Sequence, residues 1–177
     1  MADDIPAQEQ AYPGATAPMV PSPRDEMDGY AGRGLLAGRR ALVTGGDSGI
    51  GRAVAVAFAK EGADVSIAYL DETEDADAEH TRKLVEAAGR RCVTIRGDLA
   101  DEHHCTAVVE RTVAELGGLD VLVNHAGTQR PADGLTAIST EQWNRTMAVN
   151  VSGMFWVTRA ALEYLCRTVR RSSTPAR

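Results

Sequence analysis

The stretch that decides the fold of this 177-residue chain is Ala41-Leu42-Val43-Thr44-Gly45-Gly46-Asp47-Ser48-Gly49-Ile50-Gly51-Arg52. Apolar, strand-forming residues stop at a glycine pair, and residues with helical periodicity take over at Gly49. A pyrophosphate needs backbone N–H groups aimed at it, no Cβ in the way and the positive end of a helix dipole. Gly45, Gly49 and Gly51 supply the tight turn, the close approach and the helix–strand packing, with Asp47, Ser48 and Ile50 between them. Glycine-rich turns are common and often purely structural. The position of this one, between the first strand and the first helix, is what points to a dinucleotide. No Lys-Ser or Lys-Thr follows the turn, which excludes a phosphate loop of the NTP-hydrolysing kind.

Outward from the turn, short β-rich runs alternate with helix-period runs. The patterns predict strands at Arg40–Thr44, Ala63–Tyr69, Arg91–Gly97 and Leu119–Asn124. Helices are predicted at Gly49–Glu61, Thr73–Ala88 and Asp101–Leu116, with a long helical stretch from Thr140 to Cys166. Ser139-Thr140-Glu141-Gln142 reads as a capping box that opens the last of these. Such alternation is a succession of βαβ units, hence an α/β fold of the Rossmann type: a doubly wound parallel sheet of expected order 3-2-1-4. The end of the second strand faces the adenosine ribose in that geometry. An acid there would bond a 2′-hydroxyl and a base would accept a 2′-phosphate, but the position holds Tyr69. Asp71 and Glu72 just beyond are read as caps of the next helix.

Composition narrows the function classes. A net charge of -6 argues against a nucleic-acid partner, because displacing counterions from a polyanion needs a basic face. No apolar run is long enough for a membrane span, and the acidic start MADDIPAQEQ is not a secretory signal. Cys92, Cys105 and Cys166 form neither a disulfide ladder nor a CxxC pair, which suits a cytoplasmic protein. Asp101-Glu102-His103-His104-Cys105 invites a zinc reading, yet adjacent side chains on a helix diverge and cannot share one tetrahedral ion, so no metal is expected. Three segments emerge. Residues 1–38 hold five of the seven prolines and six acids against two arginines, and read as an extended or disordered arm: a solvated tail, or an arm docked on a neighbouring subunit. Residues 39–166 are the dinucleotide-binding domain, and 167–177 an Arg-rich end unlike the chain before it.

Four motifs in order carry a resemblance: the turn TGGDSGIG, Gly97-Asp98-Leu99 after the third strand, Asn124-His125-Ala126-Gly127 after the fourth, and Asn150 in Val149-Asn150-Val151-Ser152-Gly153. Over residues 40–160 the chain resembles the short-chain dehydrogenase/reductase family. The lead-in Tyr30-Ala31-Gly32-Arg33-Gly34-Leu35 and the strand end Tyr69-Leu70 resemble its bacterial general-stress subgroup. The resemblance implies an NAD(P)-dependent oxidoreductase passing hydride between a nicotinamide and a small aldehyde, ketone or alcohol, in a homo-oligomer. It implies Ser48 and Ile50 at the pyrophosphate and ribose, Asp98 on the adenine amino group with Leu99 beside it, and Asn124, Ala126 and Gly127 along the nicotinamide-side ribose. Asn150 would be the catalytic Asn, at a helix kink that holds a water in a proton relay. His125 replaces the family's usual second Asn and is read as a tolerated loop residue. Tyr69 in place of the ribose-binding acid inclines the cofactor reading toward NADP over NAD.

The family's Tyr-x-x-x-Lys pair is absent. Four residues after Tyr12, Tyr30, Tyr69 and Tyr164 stand Thr16, Gly34, Thr73 and Thr168. The strand bearing the family's catalytic Ser is also not found, so the fold is expected to be truncated after the fourth strand and its following helix, and this chain inactive by itself. One choice of codons for Arg167–Arg177, read from its third nucleotide, encodes Gly-Ala-Ser-Ile-Ile-Asn-Thr, which the family places next. The expectation is therefore a frameshifted end, with a natural basic tail as the alternative. A non-catalytic dinucleotide-binding or scaffolding protein is the competing function.

Overall fold

In the computed structural model, the structure describes Thr16 and residues 19–172, with side chains up to Leu165. The sheet is built from β1 (Arg40–Thr44), β2 (Asp64–Tyr69), β3 (Cys92–Arg96) and β4 (Val121–Asn124). Its order is β3-β2-β1-β4 and every pairing is parallel, as the βαβ alternation requires. The connecting helices are α1 (Gly49–Lys60), α2 (Asp75–Ala87) and α3 (Glu102–Leu116). After β4 come α4 (Thr140–Met147), a π-helical turn at Ala148–Gly153 and α5 (Met154–Ser172).

β1 is apolar on both faces because helices cover both sides of a doubly wound sheet. Successive side chains of a strand point oppositely, so Leu42 enters one layer and Val43 the other. Leu42 packs with Ile95, Val108, Val109, Leu119 and Val157, under α3 and α5. Val43 packs with Ala55, Ala59, Ile67, Ala78 and Val85, under α1 and α2. Register places Thr44 beside Ala68 and Asn124, so the C-terminal ends of the two innermost strands and of β4 finish level. At the opposite end, arginines hold the strand starts. The Arg40 guanidinium meets Asp120 with Nε–Oδ2 at 2.6 Å, and Arg91 donates to Asp64. β4 forms one edge of the sheet, and its four residues are only half-buried.

Most sequence boundaries move by a residue or two where ends fray. The larger differences have local causes. The segment predicted as one helix from Thr73 opens instead with a 3-10 turn at Glu72–Glu74, capped by the Asp71 carboxylate accepting from Thr73 N. The expected capping box at Ser139 is half formed. Its hydroxyl accepts from Gln142 N, while the Gln142 amide donates to Arg130 O instead of reaching back. The long helical stretch from Thr140 is interrupted by the π turn and then runs to Ser172, past the Cys166 expected to end it.

Residues 19–38 contain no helix or strand and bond to groups of α1 and α2 of their own chain. Glu61, at the end of α1, accepts from the Tyr30 hydroxyl and from the backbone N–H of Arg33 and Leu35. Lys60 donates to Met27 O, and Glu26 pairs with His80 of α2. Polar groups, rather than apolar burial, fix the arm, which is why hydropathy gave no sign of it. Residues 1–15, 17–18 and 173–177 lie outside the described residues.

Candidate dinucleotide site

A cleft of about 410 Å³ opens at the C-terminal ends of the strands, between β1 and β4, where the strand order reverses. This switch point is where open α/β sheets take their ligands, and the volume is in the range of ordinary ligand pockets. Ten sequence-predicted residues line it: Gly45, Asp47, Ser48, Gly49, Ile50, Tyr69, Asp98, Leu99, Ala126 and Gly127.

The turn owes its shape to close backbone approach. A Cβ on Gly51 would stand 1.8 Å from Gly45 O, so Gly51 is the floor on which the turn folds back and is not itself in the cleft. Gly45 has φ +66 and its Cβ position lies 3.0 Å from Ala126 Cα, which couples the turn to the loop after β4. Thr44 fastens the same junction, its hydroxyl accepting from His125 N and Ala126 N. Thr44 was not singled out from sequence; a hydroxyl at the end of an otherwise apolar strand was the available signal.

At the far end of the cleft stand Tyr69, Leu70 and Glu74. The Tyr69 hydroxyl donates to Asp75, and burial together with that bond pushes its pKa up to about 12. Two carboxylates face this end. Burial pushes Asp47 above the ordinary range, and burial with repulsion from Asp47 does the same to Glu74, whose carboxylate accepts from Leu70 N. The sequence reading passed over Glu74 because a helix-cap acid and a cleft acid look alike in one dimension.

Asp98 is held in place on both oxygens. Oδ1 accepts from Ala100 N, and Oδ2 takes the Arg145 guanidinium of α4 at 2.5 Å. Burial opposes its charge, but the Arg145 bond and the Ala100 N–H outweigh it and hold the carboxyl below its usual value. Arg145 also lines the cleft, brings a positive charge to it, and was missed from sequence because it lies 47 residues from its partner.

Besides Gly51, two expected residues stand elsewhere. Asn124 does not line the cleft; its amide donates to Thr158 of α5, leaving its buried Oδ1 without a partner among the described residues. Asn150 sits within the π turn, where the resemblance implied a kink, and its side chain grips the Thr128 backbone: Oδ1 accepts from Thr128 N and Nδ2 donates to Thr128 O. In this structure Asn150 therefore shapes the loop that follows Gly127. His125 is exposed and lines the cleft. Among the described residues no three His, Cys, Asp or Glu side chains converge on a metal position.

The family model for short chain dehydrogenases matches residues 39–173. The chain belongs to the short-chain dehydrogenase family. Its similarity to General stress protein 39 of Bacillus subtilis (strain 168) is 51% identity over 163 residues, 92% of this chain and 56% of that protein. A glucose and ribitol dehydrogenase of Daucus carota is 37% identical over 164 residues, 90% of this chain and 56% of its own length. The chain thus spans somewhat over half the length of the curated relatives it matches. Among solved structures, a short-chain dehydrogenase from Burkholderia cenocepacia J2315 in complex with NADP superposes with a TM-score of 0.70 at 41% identity, over 73% of this chain and 52% of that one. A blue fluorescent protein from a metagenomic library, in complex with NADPH, gives 0.66 at 36% identity, over 72% and 51%. The fold and the short-chain dehydrogenase membership agree with the four motifs, and a nicotinamide dinucleotide is the cofactor class this family uses. Among the described residues, no helix is long and apolar enough to cross a membrane.

Proposed function

We propose that this chain is the dinucleotide-binding portion of an NAD(P)-dependent oxidoreductase acting on a small carbonyl or alcohol. The observation that carries the reading is the cleft at the β1/β4 switch point, lined by Gly45, Ser48, Gly49 and Ile50 of the turn and by Ala126 and Gly127 opposite. The residues present fit the group. Gly45 and Gly49 of the turn bring cleft-lining backbone without a Cβ, and the turn opens into the N-terminus of α1, whose dipole favours an anion. A bound nicotinamide would supply the hydride. Ser48 and Ile50 would hold the pyrophosphate and ribose, Asp98 with Leu99 the adenine, and Ala126 and Gly127 the second ribose. Asn124 and Asn150 would support that second ribose indirectly, through α5 and the Thr128 loop.

NADP is proposed over NAD, from Tyr69 in place of a ribose-binding acid and from the NADP and NADPH held by the two structural neighbours. Asp47 and Glu74 weaken that preference, since two carboxylates repel a 2′-phosphate. Titration of the chain with NADPH and NADH, followed by fluorescence, tests both statements. Saturable one-to-one binding is expected, and Glu74→Gln should raise the NADPH:NADH affinity ratio about fivefold, the size of one like-charge contact near a protein surface. Absence of saturation with either nucleotide would remove the reading.

A non-catalytic binding role stays as the second reading, because no Tyr-x-x-x-Lys occurs in the 177 residues. The chain is proposed to be inactive by itself: the acid/base Tyr and the Lys that lowers its pKa are what the family's proton transfer needs. Oxidation of NADPH by this chain with a panel of small aldehydes and ketones would refute that.

A further inference from the structure

The glycine-rich turn is held from behind by a buried polar cluster that the cofactor reading does not use. Arg52, 3% exposed, sends Nε and Nη2 to Asp47 O at 3.1 and 2.8 Å, and Thr81 of α2 adds its hydroxyl to the same carbonyl at 2.7 Å. Asp47 O thus accepts from two side chains. On the other side of the turn, Gly49 N donates to Asp25 Oδ2 at 2.9 Å, and the same oxygen takes Arg52 Nη1 at 3.1 Å. Asp25 is 5% exposed and comes from the arm, not from the nucleotide-binding domain. Arg52 Nη2 also pairs with Asp77 Oδ1 at 2.7 Å, and Asp77 accepts from Thr16 N and Oγ1, again arm groups.

The chemistry of this cluster is specific. A buried guanidinium needs counter-charges, and two carboxylates supply them. Each fixes a different element: Asp77 ties Arg52 to α2, while Asp25 ties it to the arm and to the first N–H of α1. The turn therefore has its carbonyl at residue 47 and its N–H at residue 49 anchored by Arg52, Thr81 and Asp25, none of which lines the cleft. Between these anchors only a narrow range of backbone angles is left, which orients the N–H groups that face the cleft. A preorganised anion site binds more tightly than one that must order itself on binding.

We propose that the N-terminal arm is part of the cofactor site, with Asp25 a positioning residue that sets the glycine-rich turn through Gly49 N and Arg52. This rests on the dinucleotide reading for its purpose but not for its geometry. Removing Asp25 leaves Gly49 N without its acceptor and Arg52 with one carboxylate instead of two, and the turn gains freedom while the sheet beneath it is untouched.

The test is hydrogen exchange by mass spectrometry on the full chain, read in peptides covering the turn, the arm and β3, together with NADPH titration. Asp25→Ala should speed exchange across residues 45–51 about tenfold, with β3 exchanging as before. It should weaken NADPH about fivefold, the weight of one ordinary hydrogen bond. Asp25→Asn, which keeps an oxygen for Gly49 N, should restore both to within about twofold. Tyr30→Phe removes a different arm bond, from the Tyr30 hydroxyl to Glu61, and should speed exchange in the arm alone. The proposal is overturned if Asp25→Ala leaves turn exchange unchanged, or if Tyr30→Phe loosens the turn as much. Should the wild-type chain bind neither nucleotide, the dinucleotide reading fails while the exchange data still decide the role of Asp25.

Discussion

Substituting Gly51 and Gly49 by alanine separates two physical reasons for glycine within one motif. At Gly51 a Cβ would sit 1.8 Å from Gly45 O, 2.7 Å from Gly45 C and 3.0 Å from His125 Cδ2. Two of these obstacles are backbone atoms of the turn itself, so no side chain can rotate away. To reach a tolerable contact near 3.0 Å the turn must open by about 1.2 Å, and overpacking of a rigid site costs about 3 kcal/mol or more. At Gly49 nothing lies within 4 Å of the Cβ position, but φ is +53, so alanine there meets only the left-handed backbone penalty of about 1 kcal/mol. In urea, with a slope of about 2 kcal/mol per molar, Gly51→Ala should lower the midpoint by about 1.5 M and Gly49→Ala by about 0.5 M. Circular dichroism against urea reads both. Equal midpoints for the two variants, or a Gly51→Ala chain as stable as the wild type, would refute the claim that the turn folds directly onto Gly51.

Asp64 gives a pH test. Burial raises its pKa, but the backbone and side-chain bonds from Arg91 and the charge of Arg90 outweigh this, and the folded value lies below the ordinary one. A depressed carboxylate stabilises the fold above its unfolded value, near pH 4, and that contribution disappears as pH falls through the folded value. Asp64→Asn should therefore lower stability by about 1–2 kcal/mol at pH 7, with wild type and variant converging below about pH 4 in acid titrations of the urea midpoint. For Asn150→Ala, which deletes both bonds to Thr128, a loss of about 1–2 kcal/mol is expected, with faster exchange in residues 125–131. Unchanged exchange in that loop would show that Asn150 does not hold it.

How much of this could be read in one dimension follows from the range of each interaction. The sheet order was legible because apolar runs of strand length alternate with helix-period runs, and parallel crossovers leave few topologies. The glycine-rich turn was legible because glycine marks positions where a Cβ does not fit, and Gly51 is such a position by direct measurement. Ten of the predicted cleft residues meet for the same reason: each stands at the C-terminal end of a strand or just after it.

Three things required the tertiary structure. Arg145 reaches Asp98 only because the π turn and α5 pack against the loop after β3; Gly153 lies so close that a Cβ would stand 2.6 Å from Leu99 O. Asn124 and Asn150 look like cleft residues in their motifs, yet one turns to Thr158 and the other to the Thr128 backbone. The arm, rich in proline and acid, reads as unstructured because hydropathy counts only apolar burial. It is held by Asp25, Tyr30 and the acceptors that α1 and α2 present. The sequence by itself determined which segments form strands and helices, their order in the sheet and where the glycine-rich turn lies. Those follow from local periodicity and the steric demand of glycine. Only the tertiary structure decided which polar side chains face the cleft and what orients the turn, because a hydrogen bond between residues 25 and 49, or 98 and 145, leaves no periodic trace in the chain.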